Sequence, residues 1–153
     1  MNWDAIGATA EALAAIGVLI TLIYLAVQLK QNTAALKGSS FDNFTQRANE
    51  LQTFISTQPE MMVKFLSDQE LSETDQFLAD RQSFMVFNFI ENLYHHREAG
   101  LIDEKTFSAR MLGWKNNFSA YPSYKNFWRK NQEISLYSPE FIKFVETNLL
   151  STN

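Results

Sequence analysis

The sequence predicts an all-α protein, an N-terminal transmembrane helix followed by a small cytoplasmic helical bundle, and three observations carry that prediction. The 18 residues from Ala12 to Leu29 contain no charge. The rest of the chain repeats apolar residues at spacings of three and four, divided by proline, glycine and capping residues. No stretch sustains period-two alternation or carries an Asn-Gly type hairpin turn. With 153 residues, 46% hydrophobic and 20% charged, there is room for one ordinary domain and a modest appendage. The expected division is 1–37 for the span with its juxtamembrane extension and 38–153 for the bundle.

The span, about 12–29, lies between Glu11 and Lys30. At about 1.5 Å per residue it covers roughly 27 Å, close to the hydrocarbon thickness of a bilayer. Trp3 stands about two turns before it, where an indole sits among headgroups. A cleaved signal peptide would carry a basic leading region and a small-residue cleavage site, whereas this N-terminus carries Asp4 and Glu11 and the run ends Gln28-Leu29-Lys30-Gln31. A buried helix of a soluble bundle would show a polar stripe and a shorter run. Lys30, Lys37 and Arg47 follow the span while no Lys or Arg precedes it, which predicts an outside N-terminus and a cytoplasmic C-terminal portion. Small and hydrogen-bonding residues recur on one stripe of this helix. Gly17, Thr21, Tyr24 and Gln28 are its candidates for contact with another membrane helix, since helices in lipid associate through small residues and polar bridges.

Beyond Lys37, Gly38-Ser39-Ser40 either breaks the helix or merely loosens it, because one glycine costs only about 1 kcal/mol relative to alanine. A second helical pattern runs from Phe41 through Phe44, Ala48, Leu51 and Ile55, and Pro59 ends it and opens a short helix over 61–66. Ser72-Glu-Thr-Asp75 resembles a capping box for a long helix ending at Gly100. Asp103 caps the next helix, from Glu104 to Ala120, and Pro122 or Ser123 begins another with Tyr124, Phe127 and Trp128. Ser138-Pro139-Glu140 supplies an N-cap, an N1 proline and a first-turn acid to the last helix.

The formal charge of −4 hides a strong asymmetry. From Glu50 to Glu104 there are eleven acids against three bases, a balance of −8, and from Lys105 to Gln132 six bases and no acid. The expected reason is that the two halves pack against one another around an aromatic core. The functional alternative is contact with anionic lipid through Lys115, Lys125, Arg129 and Lys130, favoured over nucleic acid because the domain is tethered at a membrane.

Chemistry is sparse. With no cysteine there is no disulfide, thiol nucleophile or thiolate metal site, and no phosphate-cradling glycine loop or nucleophile elbow occurs. Glu91 and His95 share a helical face, with Arg81 and Asn88 one to three turns earlier. These four form a candidate ligand or polar cluster, but a carboxylate-bridged metal bundle would require further Glu-x-x-His pairs. The expectation is no catalytic residue, no metal and no cofactor, with Glu91 and His95 as a buried or half-buried hydrogen-bonded pair near Arg81 or another base.

Several patches carry a resemblance. Asn2-Trp-Asp-Ala-Ile-Gly7 with Leu22-Ile-Tyr-Leu-Ala-Val-Gln-Leu-Lys-Gln-Asn-Thr33, then Glu91-Asn-Leu-Tyr94, Gly100-Leu-Ile-Asp103 and Ser138-Pro-Glu-Phe141, resembles a group of uncharacterised bacterial single-span membrane proteins. Lys30 stands where that group usually has Arg, and Phe107 near where it often has Trp. The resemblance implies a shared architecture and a bacterial inner-membrane setting, and it supplies no catalytic residues.

The resulting expectation is a membrane-anchored accessory or scaffolding subunit that assembles with a membrane protein partner or with its own copies, rather than an enzyme. The alternative is a small-molecule or metal-binding sensor or enzyme built on Arg81, Asn88, Glu91 and His95.

Overall fold

The computed structural model describes residues 2–131 and 137–151. Every element in it is helical: α1 Trp3–Thr57, α2 Pro59–Leu66, α3 Glu73–Glu98, α4 Glu104–Ala120, α5 Pro122–Asn131 and α6 Pro139–Phe144, with a π-helical turn Val145–Leu149 after α6. The chain divides into two compact units, Met1–Ser39 and Ser40–Asn153.

The first unit is a single helical segment. It contains one stretch long and apolar enough to cross a membrane, and none of that stretch is buried. Its threonines bond within the helix: the Thr21 hydroxyl donates to the Gly17 carbonyl at 2.9 Å and the Thr33 hydroxyl to the Leu29 carbonyl at 2.9 Å.

Gly38, Ser39 and Ser40 are helical, so the break left open by the sequence does not occur. One glycine costs too little to end a helix whose next residues are anchored. Here Ser40 and Leu51 are buried, and Phe44 and Ala48 pack against the core.

The second unit is organised by α3. Ala79, Gln82, Val86, Phe87, Ile90 and Leu93 are buried along it, and Leu51 of α1 together with α2, α4, α5, α6 and the π-helical turn supplies the rest of the core. Aromatic rings fill much of the interior. Phe87 lies 4.6 Å from Trp128 and 5.2 Å from Phe118, while Phe84 meets Phe127 edge-on at 4.8 Å. Each such pair adds about 0.5–1.5 kcal/mol beyond burial of its area.

The predicted punctuation acts locally. Ser72 accepts from the Asp75 amide at 3.1 Å, Asp103 from the Thr106 amide at 2.9 Å and Ser138 from the Phe141 amide at 3.2 Å, each satisfying a first-turn donor. Gly100, at φ +67, ends α3 in a Schellman arrangement. The Leu101 amide donates to the His96 carbonyl and the Gly100 amide to the Arg97 carbonyl, both at 2.9 Å. The π-helical turn, which the sequence pattern does not distinguish from a continuing α-helix, carries both Val145 and Leu149 into the core.

Candidate functional site

The four-residue cluster on α3 is not gathered into one site. Arg81 and Asn88 are exposed, and Arg81 holds its guanidinium 5.4 Å from the Phe77 ring. Ten residues of helix put Arg81 about 15 Å along the axis from Glu91. Only Glu91 and His95 meet: His95 Nε2 stands 3.8 Å from Glu91 Oε1, with side chains 56% and 23% exposed respectively. That separation exceeds hydrogen-bonding distance, so the expected bonded pair is replaced by a loose electrostatic contact at the surface. The reason lies in helix phase, since His95 is one position past the packed ring of Tyr94 and faces water.

A neighbour of Glu91 comes from a distant part of the sequence. The Tyr137 phenol is pushed far above its ordinary range by burial, and the charge of Glu91 adds to the shift. Among the described residues its hydroxyl has no hydrogen-bond partner. No three His, Asp or Glu side chains among the described residues lie close enough to share a metal ion.

The lipid-contact candidates are also distributed. Lys125 and Arg129, four residues apart, share a face of α5, whereas Lys130 borders a groove with Asp68 and Asp80. Lys115 borders a different groove, beside Arg97, Glu104 and Phe107. The acidic and basic segments do pack against one another, α3 lying against α4 and α5, and the aromatics form the core; among the described residues, however, no base from the 105–131 segment makes an ion pair. The principal ion pair is instead Arg97 with Glu104, 2.8 Å from Nε to Oε2, which raises the guanidinium pKa and lowers that of the carboxylate.

In the first unit, the candidate contact residues Gly17, Thr21 and Tyr24 are exposed and Gln28 is half-buried. Gln28 Nε2 donates to the Tyr24 hydroxyl at 3.1 Å, and a methyl group added at Gly17 would meet nothing within 4 Å among the described residues.

Two concavities lie in the second unit at positions not singled out by the sequence reading. The larger, about 420 Å³, runs between the 44–55 portion of α1 and α4, with an apolar lining that includes Phe44, Leu51, Ile55 and Trp114. Arg110 stands at it, its guanidinium 5.1 Å from the Phe44 ring. The smaller, about 190 Å³, is formed by one face of α1, one face of α3 and Ile102. The sequence signal for the smaller cleft is a pair of matched helical faces, residues 40, 43, 44 and 47 on α1 and 89, 92, 93 and 96 on α3. Without knowledge that α1 continues through Gly38 and packs on α3, the polar members at 40, 43, 47, 92 and 96 read as unrelated surface.

No protein family, no curated protein and no solved structure matches this chain. The functional reading therefore stands on residues and geometry.

Proposed function

We propose that this chain is a single-pass protein of the bacterial inner membrane, with its N-terminus outside and residues 38–153 in the cytoplasm, acting as an accessory or scaffolding subunit. The observation that carries this is the uncovered apolar surface of α1. Between Ala12 and Leu29 ten Leu, Ile and Val side chains are 48–69% exposed, and nothing among the described residues covers them. Each is worth roughly 1.5–3 kcal/mol on full burial, so this surface calls for lipid or another apolar helix. A core helix of a soluble domain would be mostly buried, and this one is not.

The flanking charges support the orientation, because Lys30, Lys37 and Arg47 all follow the span. The bacterial setting rests on the resemblance of the sequence patches. The subunit reading draws on the stripe at Gly17, Thr21, Tyr24 and Gln28, of which the first three are exposed among the described residues. The alternative of a sensor or enzyme built on Arg81, Asn88, Glu91 and His95 gains no support from their separation along α3.

The absence of native cysteine makes topology directly testable. Asn2→Cys and Ser151→Cys are expressed singly in full-length protein and probed with a membrane-impermeant maleimide. The expected result is labelling of residue 2 in intact spheroplasts and of residue 151 only after permeabilisation, with the protein retained in the membrane through alkaline carbonate. Release by carbonate, or a mature protein lacking its first thirty or so residues, overturns the span. A strictly monomeric protein with no crosslinked partner in native membranes overturns the subunit role.

A further inference from the structure

We infer that the small cleft between α1 and α3 is a binding site for a phosphate ester. It takes Ser40, Asn43 and Arg47 from α1 and Asn92 and His96 from α3. On each helix the lining positions follow the i, i+3, i+4, i+7 pattern of one face, so both faces are aligned on the same space.

The polar groups are supplied without being used up. Ser40 is only 6% exposed, and its hydroxyl is buried with no hydrogen-bond partner among the described residues. A buried, unmatched hydroxyl costs on the order of 1–3 kcal/mol, and its presence in the cleft wall points to a missing partner. Asn43 and Arg47 are exposed at the rim and make no side-chain hydrogen bond or ion pair among the described residues. His96 Nδ1 lies 2.6 Å from the Asn92 carbonyl. A carbonyl only accepts, so the hydrogen is on Nδ1 and Nε2 remains free of that bond. Asn92 donates its side-chain amide to the Asn88 carbonyl at 2.8 Å, which fixes it in place.

Charge selects the ligand class. Among the described residues no carboxylate lines the cleft, and Arg47 is its permanent cation. Of the acids next to the lining face on α1, Asp42 lies roughly 150° and Glu50 roughly 70° around the helix from its centre at about 100° per residue, and Glu50 accepts a hydrogen bond from the Gln46 side chain at 3.0 Å. One guanidinium flanked by a hydroxyl and an amide offers more donors than two carboxylate oxygens would use, and suits the several oxygens of a phosphate. Phe44, Phe89, Leu93 and Ile102 form the apolar part of the wall and accommodate the carbon portion of an ester. The phosphate can belong to a soluble ester or to a phospholipid headgroup. All of the site lies within residues 40–102, so it does not depend on the proposed span.

The test uses the full chain in non-ionic detergent, titrated by calorimetry with inorganic phosphate and glycerol 3-phosphate, and in nanodiscs with and without phosphatidylglycerol. Saturable binding of glycerol 3-phosphate identifies a soluble source, and selective retention of phosphatidylglycerol alone identifies a headgroup; either supports the site. Arg47→Gln is expected to weaken binding about 10- to 100-fold, as for loss of a charge-assisted bond. Ser40→Ala is expected to weaken it about 2- to 10-fold. Asn43→Ala, at the exposed rim, gives a loss in the same direction and serves if Ser40→Ala perturbs folding. Lys64→Gln, exposed on α2 and outside the cleft, leaves affinity unchanged. The proposal is overturned if none of the three probes binds saturably, or if Arg47→Gln and Lys64→Gln weaken binding equally.

Discussion

Gln82 and Tyr124, 42 residues apart in sequence, are joined inside the bundle by a 2.9 Å hydrogen bond from the Gln82 amide to the tyrosine hydroxyl. Gln82 is completely buried, and its Oε1 has no partner among the described residues. The bond therefore ties α3 to α5 at a place where water cannot substitute. Tyr124→Phe leaves the Gln82 amide unmatched, at an expected cost of about 1–3 kcal/mol. The double variant Gln82→Met with Tyr124→Phe removes both partners and is expected to cost less than the sum of the single variants. Urea unfolding of the four proteins checks this, and strict additivity would refute the coupling.

Phe87 is the ring on which the aromatic core converges, touching Phe118, Phe127 and Trp128. Phe87→Ala is expected to destabilise the bundle by about 3–5 kcal/mol, the usual cost of emptying a buried aromatic site. Phe77 is exposed and lies against Arg81. Phe77→Ala is expected to cost less than about 1 kcal/mol, as for a solvent-exposed cation–π contact. Equal thermal shifts for the two variants would contradict the assigned core.

Asp103 accepts from both the amide and the hydroxyl of Thr106, and these bonds hold its carboxyl below the ordinary aspartate range. A lowered folded-state pKa means that the unfolded chain takes up the proton first as acid is added. The stabilisation is thus present above the unfolded value of about 3.9 and is lost as pH falls through the lower folded value. Asp103→Asn keeps an N-cap acceptor without the titration. Melting temperatures of wild type and Asp103→Asn, followed from pH 6 to pH 2, are expected to shift progressively in favour of the variant. A difference that stays constant over that interval would exclude this linkage.

Ile20 lies near the middle of the charge-free run and is 62% exposed. A charge at the centre of a spanning helix costs about 2.5–3.5 kcal/mol on insertion scales. Ile20→Arg is expected to reduce the carbonate-resistant fraction strongly, whereas Ile20→Leu leaves it unchanged. Full membrane retention of Ile20→Arg would argue against residues 12–29 as the span.

Helix ends were readable because the signals are local. Ser72, Asp103, Ser138 and Gly100 act on backbone groups within a few residues of themselves, so their identity and spacing suffice. Glu91 and His95 were correctly placed on one helical face, yet burial could not be read from spacing alone. His95 turns to water, while Tyr137, far along the chain, comes under the influence of Glu91. The acidic and basic segments were equally visible, but the core joins them through rings such as Phe87 and Trp128 rather than through ion pairs.

By itself the sequence determined an all-helical chain, its capped ends and a charge-free apolar run, because helix periodicity, capping and local hydropathy are properties of neighbouring residues. Tertiary structure decided that Gly38 is passed in helical form and that Ser40 faces His96 across a cleft. Those outcomes depend on which faces of α1 and α3 pack together, and packing between residues 40 and 96 is a long-range choice made by the whole core.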